Sequence, residues 1–169
     1  MTYAIVYSSQ TGNTKLLSET VRRDLADEEV LYYGGPSEEA LKADRIFIGF
    51  WTEQGKCDRQ TEDFLKTIRQ KEVFLFGTAG FGGDPKYFEK ILKRTKQNLH
   101  RSVKVTESFM CCGKMPLSVR ARYEKMMDSP VHPPHLEELI ENFDRAIFHP
   151  DAADLLALQE KVLRWIQTE

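Results

Sequence analysis

The sequence is short of several things. It has three cysteines, Cys57, Cys111 and Cys112, an odd number with two adjacent. They supply neither a closed disulfide framework nor the paired Cys/His spacing of a zinc site. A reducing, cytoplasmic setting is therefore expected. No apolar run approaches the ~20 residues of a membrane-spanning helix; the longest, 46–51, is interrupted by Gly49. No basic leader or cleavage site precedes the first strand-like segment, so no secretory signal is expected. Neither sign of charge dominates: 24 Lys+Arg stand against 26 Asp+Glu, a net −2. That balance gives no global attraction to nucleic acid or to a membrane surface. The phosphate-binding patterns G-x-x-x-x-G-K-[ST] and G-x-G-x-x-G are also missing.

What is present describes one globular domain over residues 1–169. The chain is 41% hydrophobic and 30% charged, and a chain of this length buries roughly 68–70% of its unfolded surface. Four apolar runs, Ala4–Tyr7, Val30–Tyr33, Ile46–Phe50 and Val73–Phe76, are rich in Val, Ile, Phe and Tyr. Three are near-continuous, as in strands covered on both faces of a parallel sheet. A fifth run, Val103–Met110, begins with alternation and reads as an edge strand with one wetter face. Helical spacing separates them. Leu17, Val21 and Leu25 form one stripe, Phe64, Leu65 and Ile68 a second, and Phe88, Ile91, Leu92, Thr95 and Leu99 a third. Pro36 and the acids after it open a short helix. Strands alternating with helices imply right-handed crossovers and a doubly wound sheet.

The chain changes character near residue 113. A helix is predicted from Leu117, a proline-rich joint at 129–134, then two helices with stripes Leu136/Leu139/Ile140/Phe143/Ile147 and Leu155/Leu158/Val162/Leu163/Ile166. Asp151 is the expected N-cap of the last. The tail is too short for a core of its own, so residues 113–169 are expected to pack on the core formed by 1–112.

The most informative segment is Ser8-Ser9-Gln10-Thr11-Gly12-Asn13-Thr14-Lys15, between the first strand and the first helix. A helix start offers unpaired N–H groups and a positive dipole end, which together bind anions. Hydroxyls at Ser9, Thr11 and Thr14, amides at Gln10 and Asn13, and a flexible Gly12 crowd that position. Ser9-Gln10-Thr11-Gly12-Asn13-Thr14 resembles, residue for residue, the (S/T)-x-T-G-N-T loop of the flavodoxins and their FMN-binding relatives.

That resemblance implies a three-layer α/β/α fold with a five-stranded parallel sheet of order 2-1-3-4-5 and FMN at the switch point. It implies that Ser9, Gln10, Thr11, Gly12, Asn13 and Thr14 wrap the FMN phosphate. Trp51 and Thr52 would border the ring on one side, and Thr78, Ala79, Gly80, Phe81 and Gly82 on the other. Phe81 or Tyr87 would be the candidate second stacking aromatic. Lys56, in the presumptive ring loop 49–58, would raise the flavin potential. No catalytic side chain and no metal are implied. The implied role is a cytoplasmic electron carrier meeting a reductase and an acceptor enzyme weakly and transiently. The alternative is an NAD(P)H-dependent FMN reductase of a quinone or other small acceptor, for which the C-terminus would cover a substrate pocket or support a homodimer.

Other features stay open. Residues 86–104 carry seven Lys or Arg against one acid, Glu89, a local +6. This is either a solvated face or a docking surface for an acidic protein; no motif for nucleic acid accompanies it. Cys111 and Cys112 read as small apolar packing residues or as thiols beside a flavin. The four histidines fall at helix ends and joints, where capping or exposure is expected.

Overall fold

The computed structural model describes residues 1–81 and 84–168. The strands are β1 (Thr2–Tyr7), β2 (Glu29–Gly34), β3 (Arg45–Glu53), β4 (Lys56–Cys57), β5 (Glu72–Ala79) and β6 (Lys104–Cys112). The α-helices are α1 (Asn13–Asp24), α2 (Arg59–Leu65), α3 (Pro85–Lys96), α4 (Leu117–Met127), α5 (Leu136–Ala146) and α6 (Ala152–Ile166). The main sheet runs β2-β1-β3-β5-β6, all parallel. Counted over its five long strands this is the order 2-1-3-4-5. The short helix after Pro36 is a 3-10 turn, Glu38–Lys42, whose N-cap Ser37 accepts from the Glu39 amide.

The period-2 alternation of a strand sends successive side chains to opposite faces, and two cores result. Ala4 and Val6, Ile46, Ile48 and Phe50, and Val73 and Leu75 pack with Phe64, Leu65, Ile68 and Ile91 on the face covered by α2 and α3. Tyr3, Ile5, Phe47, Phe74 and Phe76 pack with Leu17, Val21 and Leu25 of α1 on the other. The central strands β1, β3 and β5 are therefore buried on both faces, while the outer strands β2 and β6 alternate between wet and dry.

The segment beyond residue 112 does two different things. Helix α6 lies beside α1 and puts Leu158, Val162 and Trp165 into the second core, completing that layer. Its start is a capping box between Asp151 and Asp154, and its end is tied to the sheet by Arg45. The Arg45 Nη1 donates to the Trp165 carbonyl at 3.0 Å, its Nη2 meets Glu72 at 3.0 Å, and its guanidinium sits 4.9 Å from the Trp165 ring centre. A buried guanidinium needs such full pairing. Helices α4 and α5 instead pack against each other, and α5 reaches the sheet's C-terminal rim.

One element was not expected from the sequence. The segment read as a loop after the third strand is a hairpin: β3 continues through Trp51 and Thr52, and β4 returns antiparallel to it, Thr52 facing Cys57. Its two-residue turn, Gln54-Gly55, has positive φ at both positions, 50° and 80°. This is what the right-handed strand twist demands of a tight hairpin. Trp51 and Thr52 therefore stand on a strand, with Trp51 in register with Thr78.

Candidate functional site

A cleft opens at the C-terminal ends of β1, β3, β5 and β6. It lies where the chain steps to β2 on one side of β1 and to β3 on the other, the crevice at which open α/β sheets bind ligands. Ser9, Gln10, Thr11, Asn13, Thr14, Trp51, Thr52, Thr78 and Gly80 line it. The sequence reading named all nine. Four more walls were missed: Gly113, Lys114, Met115 and Pro116, a strap leaving β6.

The loop at the start of α1 offers first-turn donors of the kind that can hold an anion. Gly12 takes φ 90°, with open space where a Cβ would stand. The Ser9 Oγ accepts from the Gly12 and Lys15 amides, both at 3.2 Å. The amides of Asn13 and Thr14 fall in the first turn, where a helix offers no internal acceptor. Thr14 is fully buried and holds the loop to the sheet. Its Oγ1 donates to the Phe50 carbonyl at 3.1 Å and lies 3.2 Å from the Thr78 hydroxyl. Gly49 makes this approach feasible, since a Cβ there would stand 2.4 Å from the Phe76 ring and 3.0 Å from the Thr14 methyl.

Two polar atoms in the walls, Asn13 Oδ1 and Thr52 Oγ1, are buried and have no hydrogen-bond partner among the described residues. Orphaned buried acceptors and hydroxyls are rare in proteins and call for a partner. One sits in the anion loop and the other beside Trp51. The walls therefore can hold a ligand that carries polar groups at both places.

The strap is bonded to this loop and to the C-terminal helices. The Lys114 carbonyl accepts from Asn13 Nδ2 at 2.8 Å, and its amide donates to the His149 carbonyl at 2.9 Å. Gly113 leaves no room for a side chain, because a Cβ there would stand 2.5 Å from Asn13 Nδ2. Met115 lies over Gly80 so closely that a Cβ on Gly80 would come within 2.7 Å of its Cγ. The Gly80 carbonyl accepts from Asn142 Nδ2 on α5 at 2.8 Å. No local signal marks the strap, whose place depends on contacts with residues 101 positions away.

The remaining candidates fall elsewhere. Gly12 faces an adjoining hollow with Leu16, Lys114, Ile147, Phe148 and His149. Ala79 is buried in the first core beneath the cleft. Phe81 is 39% exposed and is not a cleft wall. Gly82 lies outside the described residues. Tyr87 packs on the first core from α3. Lys56 bonds Glu62 of α2 at 2.8 Å, a carboxylate that Lys66 also bonds at 3.1 Å, and is not among the cleft walls.

The thiols are poor nucleophiles. Burial pushes Cys57 up to about 11, and raises Cys111 and Cys112 as well; the thiolate is the reactive form. His149, Asp151 and Asp154 bring ligand atoms within 4.8 Å of one another. Both carboxylates serve the capping box, and the histidine Nδ1 sits 2.7 Å from Asp154, so the start of α6 accounts for the cluster. The seven cations of 86–104 make no ion pair among the described residues.

A flavodoxin-domain model matches residues 4–163. The flavodoxin-like domain-containing protein BilS of Clostridium symbiosum (strain WAL-14163) is 37% identical over 176 aligned positions, spanning 94% of this chain and 93% of that protein. BilS of Clostridioides difficile (strain CD3) is 28% identical, spanning 89% and 88%. A solved flavodoxin from the domain Archaea superposes with a TM-score of 0.54 at 17% identity, spanning 97% of this chain and 95% of that one. The sheet order agrees with this fold, and the chain belongs to the flavodoxin domain family.

Proposed function

We propose that the cleft binds one FMN noncovalently and that the protein carries electrons between a reductase and an acceptor enzyme. The observation that carries this reading is the pairing, in one cleft, of an anion-binding helix start with strand-end walls that include Trp51 and a buried, unpartnered Thr52 hydroxyl. FMN supplies the electron chemistry when bound. The protein's part is to hold it. The Asn13 and Thr14 amides with the Ser9 and Thr11 hydroxyls take the phosphate, Trp51 offers an apolar face to the ring, and Thr52 and Thr78 offer hydroxyls at its edge.

A carrier needs no acid, base or nucleophile, and Lys114 is the one ionisable side chain among the cleft residues. Partners would meet the protein transiently, as small redox interfaces do. No helix among the described residues is long and apolar enough to cross a membrane, and the reading places the protein in the cytoplasm.

The test is direct. Purified protein is expected to be yellow, to release FMN on denaturation, and to take FMN up again when the colourless form is titrated. Protein that fails to take up FMN overturns the reading. Steady NAD(P)H oxidation by the flavin-loaded protein alone would replace the carrier with the reductase.

A further inference from the structure

Three other helices each pair a cation with an acid one turn on: Lys15 with Glu19 on α1, Arg59 with Asp63 on α2, and Arg120 with Glu124 on α4. Such pairs stabilise a helix, and like charges at the same spacing destabilise it. Helix α3 does the opposite. Lys86, Lys90, Lys93, Arg94 and Lys96 are all exposed, share one face by helical spacing, and make no ion pair among the described residues. Lys90 stands four residues from both Lys86 and Arg94. The negative dipole end gives Lys93, Arg94 and Lys96 a reason to occupy the last turn. Lys86 has no such reason, because it lies in the first turn, where no acid accompanies it. The chain as a whole is net −2, so this is a positive face on an otherwise acidic molecule.

The face is joined to the cleft. Helix α3 starts at Pro85, shortly after the cleft wall Gly80, so Lys86 and Lys90 stand at the cleft end of the sheet. On its inner side, Tyr87, Ile91 and Leu92 pack on the first core, and the buried Thr95 hydroxyl accepts from the Cys57 amide at 3.1 Å. Arg94 lies against the Gln54-Gly55 turn, where a Cβ on Gly55 would come within 2.6 Å of its Nη1. The hairpin bonded to α3 in this way is the one whose other strand carries Trp51 and Thr52 into the cleft wall. The positive face and that wall are therefore parts of one packed unit.

We propose that the exposed face of α3 is the docking surface for an acidic protein. That this partner exchanges electrons at the cleft rests on the carrier reading above; the docking does not. Unpaired exposed cations attract an acidic surface from a distance and orient it as it arrives. Here they bring it in beside the Gln54-Gly55 turn and the Gly80 wall. The same charges would meet a nucleic acid. Against that occupant, Tyr87 and Phe88 of this helix pack on the first core and do not stand free for stacking, and the net negative remainder of the chain repels a phosphate backbone.

Two haem proteins of opposite charge serve as probes, acidic cytochrome b5 and basic cytochrome c. Each is titrated calorimetrically into the full-length protein, with and without added FMN, at low salt and at about tenfold higher salt. The acidic probe is expected to bind more tightly than the basic one, and to lose that advantage at high salt. The triple variant Lys86→Gln, Lys90→Gln, Lys93→Gln is expected to bind the acidic probe roughly tenfold more weakly. Its urea midpoint is not expected to fall, since like charges have been removed from one face. A second triple, Arg22→Gln, Arg122→Gln, Lys125→Gln, removes the same charge from exposed positions on α1 and α4 and is expected to keep most of the affinity. Equal loss in the two triples overturns the proposal, because it marks net charge rather than a face. An acidic probe that binds no more tightly than the basic one overturns it as well, as does a DNA duplex that binds more tightly than the acidic probe. Preferential docking by protein that takes up no FMN supports the surface and overturns the cofactor reading. Flavin-loaded protein without that preference overturns the surface alone.

Discussion

Asn142, on α5, donates through Nδ2 to the carbonyl oxygen of Gly80 at 2.8 Å, across 62 residues of sequence. The bond ties the C-terminal helices to one wall of the cleft, as His149 ties them to the strap. Replacing Asn142 by Ala removes this bond and is expected to cost at least about 1 kcal/mol in urea denaturation. Asn142→Asp is expected to cost more, since a carboxylate oxygen would then face the carbonyl. If the Asp variant equals wild type in midpoint and slope, the contact does not hold the wall.

Two glycines beside the anion loop should respond to alanine for different reasons. At Gly113 the added methyl meets Asn13 Nδ2 at 2.5 Å, so the strap must lift from the loop. About 1–3 kcal/mol of destabilisation is expected, as for other overpacked sites. At Gly12 nothing lies within 4 Å, but φ is 90°, and the cost is backbone strain of roughly 1 kcal/mol. Thermal or urea unfolding measures both. A Gly113→Ala variant as stable as wild type would show that the strap is loosely held.

Hydrogen bonds from Lys56 and Lys66 hold the Glu62 carboxyl down to about 2. An unfolded Glu titrates near ~4.3, so between these values the unfolded chain binds the extra proton. The contribution is complete above the unfolded value and is lost as pH falls through about 2. Glu62→Gln is therefore expected to flatten the fall of stability with acid in this window. Urea midpoints at steps between pH 5 and pH 2 check it, and parallel curves for the two proteins would reject the assignment. Lys56 is bonded to Glu62 and is not among the cleft walls, so Lys56→Gln is expected to leave any flavin potential little changed, which redox titration checks.

Burial raises all three thiols. In the native protein at pH 8, Cys57 and Cys111 are expected to resist a thiol reagent, with half-buried Cys112 the first to react. Denaturation should make all three react at once. Rapid native labelling of Cys111 would contradict its buried placement and reopen the case for a working thiol.

The elements that were legible in the residues are those set by short-range patterns. Near-continuous Val, Ile and Phe runs marked β1, β3 and β5, because strands dry on both faces need apolar residues at consecutive positions. Spacing of three and four marked α1, α3, α5 and α6. The anion loop was readable because helix start, hydroxyls and glycine lie within six consecutive residues, Ser9–Thr14. The hairpin at Gln54-Gly55 was not, since only the positive φ at both positions distinguishes that turn from an open loop.

The other half of the site came from long-range packing. Gly113-Lys114-Met115-Pro116 has no periodicity and no motif; it became a wall because β6 ends beside β5 and because Asn13 reaches its carbonyl. Phe81 and Tyr87 were both candidates for stacking by residue type; Phe81 is exposed outside the cleft walls and Tyr87 packs on the core. Side-chain chemistry is written locally, and it sufficed to establish the doubly wound sheet and to mark the helix start that borders the cleft. Which groups line the cleft depends on where chain segments far apart in sequence come to rest: β6 ends beside β5, and the residues after it are bonded to Asn13 and to His149.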